Sequence, residues 1–545
     1  MNRNTEQHFA TNPTVEIGRS KFDRGHTHKT SFNTGDLIPI YCDTTIMPGD
    51  SVKMRMSEVV RMMTPLVPVM DNAFMDTYFF FVPTRLIWNH WKAFMGENET
   101  APWIQTTEYQ IPQVIAPENG WKKGSLADYL GWPTEIGGYK TSALPLRAYA
   151  LIWNEWFRDE NLKNPCYISD GETDLQGTDK TTLGASYDYV VDTEKGAAPC
   201  KAAKIHDYFT SCLPGAQKGP AVNIPLGQMA PIYGTEPKNL QTGYTAATNL
   251  EGKPIQFLKE SGGGFNALTD DTNLNGMPAS TQIAIYTDLS DAVGATVNQL
   301  RQAFAVQKYY ENQALGGTRY IEQIKAHFGV TNPDFRMQRP EYLGGERIPI
   351  NMNQVVTTYE TSGNDPVGTT GAYSVTSNVN EDLFTHSFTE HGILMGLAVV
   401  RTTHTYQQGL NRQYSKKKNI DFYTPEFAHL GNMAVLNKEL YLQGTNKDEE
   451  AFGYQEAWAS ERFFPDIVTG ELRSNYAQTL DAWHYADDYN ALPTLGSEWI
   501  DETTENVART LAVQNHDQLF GDFYFGAVYT RPMPLFSIPG LIDHM

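Results

Sequence analysis

The sequence predicts a mainly β protein with a few short helices, built as one large body carrying long insertions. Three observations lead there. The apolar segments are short and evenly spread, from Leu37 to Leu541. Several of them alternate apolar with polar residues, the period of two that turns one face of a strand inward. No Pro/Ser-rich or charged linker divides the 545 residues, although length alone would allow about three or four domains. A chain of this size is ample to bury a core.

Taken in order, Val52, Met54 and Met56 alternate with Lys53 and Arg55, which predicts a half-buried strand. Tyr78 to Val82 is wholly apolar and is stopped by Pro83, which fits a strand buried on both faces. Leu146, Tyr149, Ala150, Trp153 and Phe157 recur at helical spacing, with Pro145 in the first turn. Val297, Leu300, Phe304 and Tyr310 mark a second helix. Ile321, Ile324 and Phe328 mark a third, closed by Gly329 as its C-cap. The aromatics of these helices are expected in the core. Ile393, Met395, Leu397, Val399 and Arg401 lie on one side of a long strand, in which Gly396 marks a bulge or bend. Phe523, Phe525, Ala527 and Tyr529 form one face of another, ended by Pro532-Met533-Pro534. Many short strands with long excursions between them favour a jelly roll over an up-and-down barrel.

The chain holds 42 basic and 63 acidic residues, a net charge of −21. That excludes a typical free DNA-binding protein, which is basic overall. The charge is uneven. Glu439 to Glu505 holds fifteen acidic and three basic residues, whereas the first thirty residues hold five basic and three acidic. Either run reads as solvated surface, or as an acidic side facing away from nucleic acid and a basic end facing it. Four scattered cysteines, Cys42, Cys166, Cys200 and Cys212, make neither a disulfide scaffold nor a zinc site, and fit a reducing compartment. Met1-Asn2-Arg3-Asn4 opens without an apolar stretch, so no secretory signal is expected. The longest apolar run, Ile393 to Val400, is eight residues, short of the roughly twenty that span a membrane. No membrane insertion is expected.

Catalytic signatures are missing from the sequence. There is no phosphate-binding or dinucleotide-binding glycine motif, no H-E-x-x-H and no G-x-S-x-G. His386 and His391, five apart, would point to opposite faces of a strand, and Glu390 beside His391 reads better as a structural pair than as an acid and base. Glu456 near Trp458 and Asp481 near Trp483 invite a glycosidase reading, but that chemistry needs two carboxylates at a set separation across a cleft. A carbohydrate-active hydrolase and a monomeric lectin-like module are therefore the alternatives. No catalytic, cofactor or metal residue is assigned. Nucleic-acid contact has two candidate sites. One is Lys416-Lys417-Lys418 with Arg412 and Tyr414 just before it, since basic residues among aromatics can neutralise phosphates and stack bases. The other is the N-terminal arm, with Arg3, Arg19, Lys21, Arg24 and Lys29 beside His26 and His28.

One region differs from everything around it. From His206 the chain reads H-D-Y-F-T-S-C-L-P-G-A-Q-K-G-P-A-V, and from Val297 V-N-Q-L-R-Q-A-F-A-V-Q-K, then G-G-T-R-Y-I-E-Q-I-K-A-H-F-G-V from Gly316 and Q-R-P-E-Y-L-G-G from Gln338. Between Gly227 and Asp291 lies a polar stretch rich in Gly, Thr and Asn, including Ser261-Gly262-Gly263-Gly264. A compact body that tolerates so long a polar excursion presents it to something. With T-T-I-M-P-G-D from Thr44, T-Y-F-F-F-V-P-T-R-L-I-W from Thr77, F-T-E-H-G-I-L-M-G-L-A-V-V-R from Phe388, F-Y-F-G-A-V-Y-T-R-P-M-P from Phe523 and I-P-G-L-I-D-H ending at His544, these segments resemble the major capsid proteins of the gokushovirus branch of the microviruses, tailless phages with circular single-stranded DNA. The resemblance lapses at about 160–200, 228–288 and 360–380, and Pro214-Gly215 stands where family members often have Trp-Pro.

The resemblance implies an eight-stranded antiparallel viral jelly-roll barrel with long loop insertions. It implies pentamers assembling into a sixty-copy T=1 icosahedral shell around single-stranded DNA, in the virion after assembly in the host bacterial cytoplasm. On it, residues 1–40 form an N-terminal arm facing the interior, 41–227 and 289–545 the jelly-roll body, and 228–288 a surface-exposed protrusion near the threefold axes for host attachment. The apolar Ile255, Phe257 and Leu258 and the glycines Gly262, Gly263 and Gly264 belong to that protrusion. The partners implied are further copies of the chain, the genome, a small basic DNA-binding virion protein, pilot and scaffolding proteins and a host surface receptor.

Overall fold

The computed structural model describes residues 18–97, 107–222 apart from 181, 187 and 188, 296–351, 354–356, 358, 370–373 and 376–536. It adds strand backbone at 232–233, 247–248, 254–259, 265–269 and 286–287. The chain divides into two compact units, residues 217–313 and the remainder.

The larger unit is mainly β and antiparallel. Its strands are β1 (Ser20–Asp23), β2 (His26–Phe32), β3 (Ile38–Ile46), β4 (Ser51–Met62), β5 (Ala73–Pro83), β6 (Glu341–Pro349), β7 (Thr376–Ser387), β8 (Gly392–Thr402), β9 (Asn432–Leu436), β10 (Ala451–Glu456) and β11 (Leu519–Arg531). Two sheets make the core. In the first, β11 pairs with β4, and β4 with β7; on its other edge β11 pairs with β2 through Leu519 to Phe525 and with β1 through Val528 to Arg531. The second runs β6-β5-β8-β3. β9 and β10 form a separate hairpin.

The strand patterns explain how the sheets pack. Val52, Met54, Met56 and Val60 of β4 and Phe523, Phe525, Ala527 and Tyr529 of β11 are buried on one face, as their alternation predicts. They meet Ile38, Ile40, Met75, Phe79, Leu394 and Ala398 from the second sheet in one core cluster. The inner strands of the second sheet, β5 and β8, are buried on both faces. Phe79 and Phe81 of β5 point into that core, while Phe80 and Val82 enter a second cluster on the other side. Ile393, Met395, Leu397 and Val399 of β8 lie in the second cluster too. Phe79 to Val82 are thus buried on both faces for the reason their composition gives, since none has a polar group to offer water, while Tyr78 is half-buried with its hydroxyl accepting from Arg401 at 3.0 Å. Gly396 sits at a register shift between β8 and β3, and a Cβ there would meet the Phe79 ring at 2.7 Å.

The second cluster is roofed by helix α1 (Leu144–Ile152), which runs on into a π-helical turn, Trp153–Phe157. Leu146, Tyr149, Ala150 and Trp153 are buried. The Tyr149 hydroxyl donates to the Leu37 carbonyl (2.7 Å), and the Trp153 indole to that of Lys201 (3.1 Å). The other two predicted helices form where the spacing puts them, as α2 (Val297–Leu315) and α3 (Tyr320–Phe328), the latter closed by Gly329 at φ +69°. The expectation that their aromatics lie in the core is corrected. Phe304 is 64% and Phe328 78% exposed, and neither helix has a buried residue. Helical spacing fixes which residues share a face, not whether the chain has anything to lay against it.

The smaller unit is described mostly as backbone. Ile232–Tyr233 pairs with Tyr286–Thr287, and Pro254–Lys259 lies between Ala247–Thr248 and Phe265–Thr269. The stretch that reads as a polar loop therefore contains short strands. The β-favouring residues Ile255, Phe257 and Leu258 are on the middle one, with Phe257 opposite Ala267.

One polar residue sits on the inward face of the first sheet. Glu58 of β4 is 1% exposed, and one of its carboxyl oxygens has no hydrogen-bond partner among the described residues. Asn378 Nδ2 approaches the other at 3.5 Å. Burial, with the charge of Glu346 from β6 adding to it, raises Glu58 from 4.5 to about 8. The folded carboxyl keeps its proton up to about pH 8, whereas an unfolded one loses it near 4.5. Its contribution to stability is therefore present below 4.5 and lost as pH rises through 8, with a cost on the order of a few kcal/mol above that. Glu58→Gln should raise the unfolding midpoint at pH 9, leave it nearly unchanged at pH 5, and flatten the slope between, as read by thermal unfolding across pH.

Candidate functional site

The basic residues singled out in the sequence divide into two groups. Arg24 donates to Asp43 (2.5 Å), and Lys29 is paired with Asp522 across β2 and β11. Arg412 is drawn inward, with Nη1 on the Ala434 carbonyl (2.8 Å) and on Glu439 (3.1 Å). Lys416 pairs with Glu461 at 2.5 Å and lies over the Phe422 ring at 4.9 Å. Arg19, Lys21, Lys417 and Lys418 are exposed and carry no side-chain ion pair among the described residues. Arg3 lies outside the described residues, as do Gly262, Gly263, Gly264 and His544.

Lys417 and Lys418 are held by a local turn. Both backbone N–H groups donate to one Asp421 oxygen at 2.8 Å. Around them the segment after β8 is short helical turns, and it exposes Tyr414 (72%), Ile420, Phe422 and Tyr423. The structure thus brings onto one segment Lys417 and Lys418, without an ion pair among the described residues, and the exposed Tyr414, Phe422 and Tyr423, the last packed on Trp458 at 5.6 Å. The sequence reading found the lysines and Tyr414 but missed Phe422 and Tyr423. Their signal was there: two aromatics in an otherwise polar run with no strand or helix period.

The acidic stretch is not all surface. Glu439, Asp448, Asp487 and Glu502 are buried. Burial raises Glu439, against the hold of the Leu436 N–H and Arg412, and Tyr208 donates to it at 3.1 Å. Asp487 and Glu502 clamp His404, just beyond β8, with Nδ1 to Asp487 2.9 Å and Nε2 to Glu502 3.1 Å. Burial alone would lower this imidazole, but the two carboxylates, Asp487 first, push it up to about 10. Asn506 also donates to Asp487 (2.6 Å), and Thr402 to Glu502 (2.9 Å). The triad pins the 485–506 segment to the end of β8.

The residues that invited an enzymatic reading are engaged elsewhere. Glu390 is held by Arg85 (2.7 and 3.2 Å), and the His391 ring packs on Trp91 at 5.6 Å. Glu456 pairs with Arg462 (2.6 Å), and Asp481 lies 3.8 Å from Arg509. A cavity of about 780 Å³ is lined in part by Glu160 and Glu322. Both carboxyls share Arg319, which reaches them at 2.8 and 3.2 Å. They sit side by side on one cation instead of facing each other across a cleft. Among the described residues no group of three or more His, Cys, Asp or Glu is placed to hold a metal, and no helix is long and apolar enough to cross a membrane.

A β body that leaves many large apolar side chains exposed among the described residues has the surface of a building block. The family described as "Capsid protein (F protein)" matches residues 10–541, and the chain belongs to it. It is similar to "Capsid protein VP1" of Bdellovibrio phage phiMH2K, 39% identical with 98% of each chain covered. It is similar also to "Capsid protein VP1" of Spiroplasma virus 4 (38%, 96% of each) and of Chlamydia phage 1 (37%, 98% of this chain and 97% of the other). The resemblance to gokushovirus capsid proteins therefore extends over nearly the whole length. The protein is a capsid structural protein, a component of the virion, and not an enzyme.

The His404 clamp gives a test of how the acidic segment is anchored. The folded imidazolium persists to about pH 10 against 6.5 when free. Its stabilisation is full below 6.5 and lost as pH rises through 10. His404→Ala should leave two buried carboxylates unpaired and cost about 3–5 kcal/mol at pH 7. Denaturant unfolding should also show the variant losing less stability than the parent between pH 7 and 10.

Proposed function

We propose that this chain is the major subunit of a sixty-copy T=1 icosahedral shell, assembled through pentamers around circular single-stranded DNA in the host cytoplasm. The observation that carries this is the match to capsid proteins along the full length, 37–39% identical to three of them. On this reading the two core sheets are those of an eight-stranded jelly roll, with β1 and β2 sharing one strand position along β11. Four strand positions in each antiparallel sheet around one core support it. Residues 228–288 are the threefold protrusion and contact the host surface. Their place within a separate compact unit supports that. Shell building needs lateral contacts that are specific yet individually modest.

The nucleic-acid-facing set is narrower than the basic residues of the sequence. Arg24, Lys29, Arg412 and Lys416 already have carboxylate partners. We therefore assign the interior contact to Lys417 and Lys418 with Tyr414, Phe422 and Tyr423, and to the arm ahead of β1, where Arg3 and Arg19 lie. Lys21, exposed on β1, flanks that arm. A small basic virion protein supplies further charge, and pilot and scaffolding proteins assist assembly.

Two measurements test this. Material from cells that also make the partner proteins should sediment and image as icosahedral particles. A chain that stays monomeric there would end the shell reading. Replacing Lys417 and Lys418 together by Gln should lower DNA per particle several-fold more than it lowers empty-shell yield. Equal loss of filled and empty particles would place these lysines in a subunit contact instead.

A further inference from the structure

Cys166 and Cys200 lie in van der Waals contact. Their sulfurs are 3.7 Å apart, and both residues are buried, 3% and 1% exposed, in the cluster under α1. The Thr193 hydroxyl touches both sulfurs, at 3.2 and 3.6 Å. The two backbones are fixed to the same helical stretch. Asn154 makes a two-way clamp on Cys166, accepting from its N–H at 2.7 Å and donating to its carbonyl at 2.8 Å. The Cys200 N–H donates to the Tyr149 hydroxyl at 2.9 Å, and the Cys200 carbonyl accepts from Leu37 at 3.0 Å. Neither thiol is needed to fill a hydrogen-bond deficit, and neither has a role in the contacts proposed above.

We propose that this pair is an oxidation site at which a hydroperoxide forms an intrasubunit disulfide between Cys166 and Cys200. The sulfurs must close from 3.7 Å to about 2.0 Å. The chemistry has a direction. Cys166 is hydrogen-bonded with the Cys200 thiol and with the Thr193 hydroxyl, and it lies near the positive charges of Lys163 and Arg158. Together these outweigh its burial and hold its thiol below the usual range. Cys200 is pushed up by burial and keeps its proton. The Cys166 thiolate attacks one peroxide oxygen, the O–O bond breaks, and hydroxide leaves to take up a proton as water. Cys200 then attacks the Cys166 sulfenic sulfur; the S–O bond breaks, and the oxygen departs as water with the Cys200 proton. Two thiols and one hydrogen peroxide give one disulfide and two waters, with two electrons passing to the peroxide. In a reducing cytoplasm the pair stays as thiols; outside it the bond persists.

The test uses the full-length protein in its assembled or purified form. It is treated with hydrogen peroxide at a dose that oxidises added glutathione, the excess is removed, and the chain is denatured in iodoacetamide. Peptide masses should show two fewer alkylated cysteines per chain, with the Cys166 and Cys200 peptides joined and lighter by two hydrogens. Dithiothreitol should restore both thiols. Cys200→Ser should form no link and leave a dimedone-reactive sulfenic acid on Cys166. Retention of all four thiols in the parent chain would overturn the proposal. So would a link through Cys42 or Cys212, or oxidation of Cys166 to sulfinic acid without a link.

Discussion

Asp43 is where the two sheets are tied. It lies on β3 of the second sheet and accepts from Tyr529 of β11 in the first, at 2.7 Å. The Tyr529 hydroxyl also meets that of Tyr41 at 2.6 Å. Arg24, between β1 and β2, reaches the same carboxylate, and Thr45 caps its other oxygen from backbone and side chain. Burial alone would raise this carboxyl, but the Tyr529 and Thr45 hydrogen bonds and the Arg24 charge hold it below the usual range. The network also fixes register. A slip of β11 by one residue would take Tyr529 off the core face together with Phe523, Phe525 and Ala527. With β11 set, β4 is placed on one edge and β1 and β2 on the other. The first and last described strands of the chain are therefore neighbours in one sheet.

β5 and β8, buried on both faces, then demand a roof, and much of the chain between β5 and β6 is spent on it. Within that roof Arg147 is fully buried, bonded to the Ile87 and Gly171 carbonyls and to Ser169, with Glu194 at 3.2 Å. Such an ion pair costs desolvation, and the fixed donor fork of arginine offsets it by binding several loops at once. On α3, by contrast, Tyr320 and Phe328 stand 72% and 78% exposed among the described residues. In a capsid protein the free energy of covering such residues belongs to association, not to folding.

Legibility in the sequence followed the range of the interaction. Strand faces in β4, β5, β8 and β11 and the ends of α1 and α3 could be read because each depends on residues a few positions apart. β1 and β2 could not. Ser20–Asp23 and His26–Phe32 carry little apolar alternation, and they become strands because β11, some five hundred residues later, offers them an edge. The acidic stretch failed for the same reason. Asp487 and Glu502 look like solvated charge until His404, remote in sequence, is brought between them. Of the candidate nucleic-acid set, residue type was readable, but prior pairing with Asp43, Asp522, Glu439 or Glu461 was not.

On the proposed reading, that pairing changes the electrostatics of enclosing a genome. The formal charge of −21 takes every histidine as neutral, so it overstates the negative charge by the His404 imidazolium held between Asp487 and Glu502. The basic count overstates the attraction to phosphate too, because a guanidinium already on a carboxylate releases fewer counterions when DNA arrives. Lys417 and Lys418, unpaired among the described residues, would correspond to a salt slope of only about −1.4 per subunit for single strands. Three exposed aromatics can contribute about 1–3 kcal/mol for each base they stack. A contact made by Lys417, Lys418, Tyr414, Phe422 and Tyr423 would thus depend more on stacking than on charge. That suits single-stranded DNA, whose bases are free to stack, and leaves most of the phosphate charge to be met by small ions and basic partner chains.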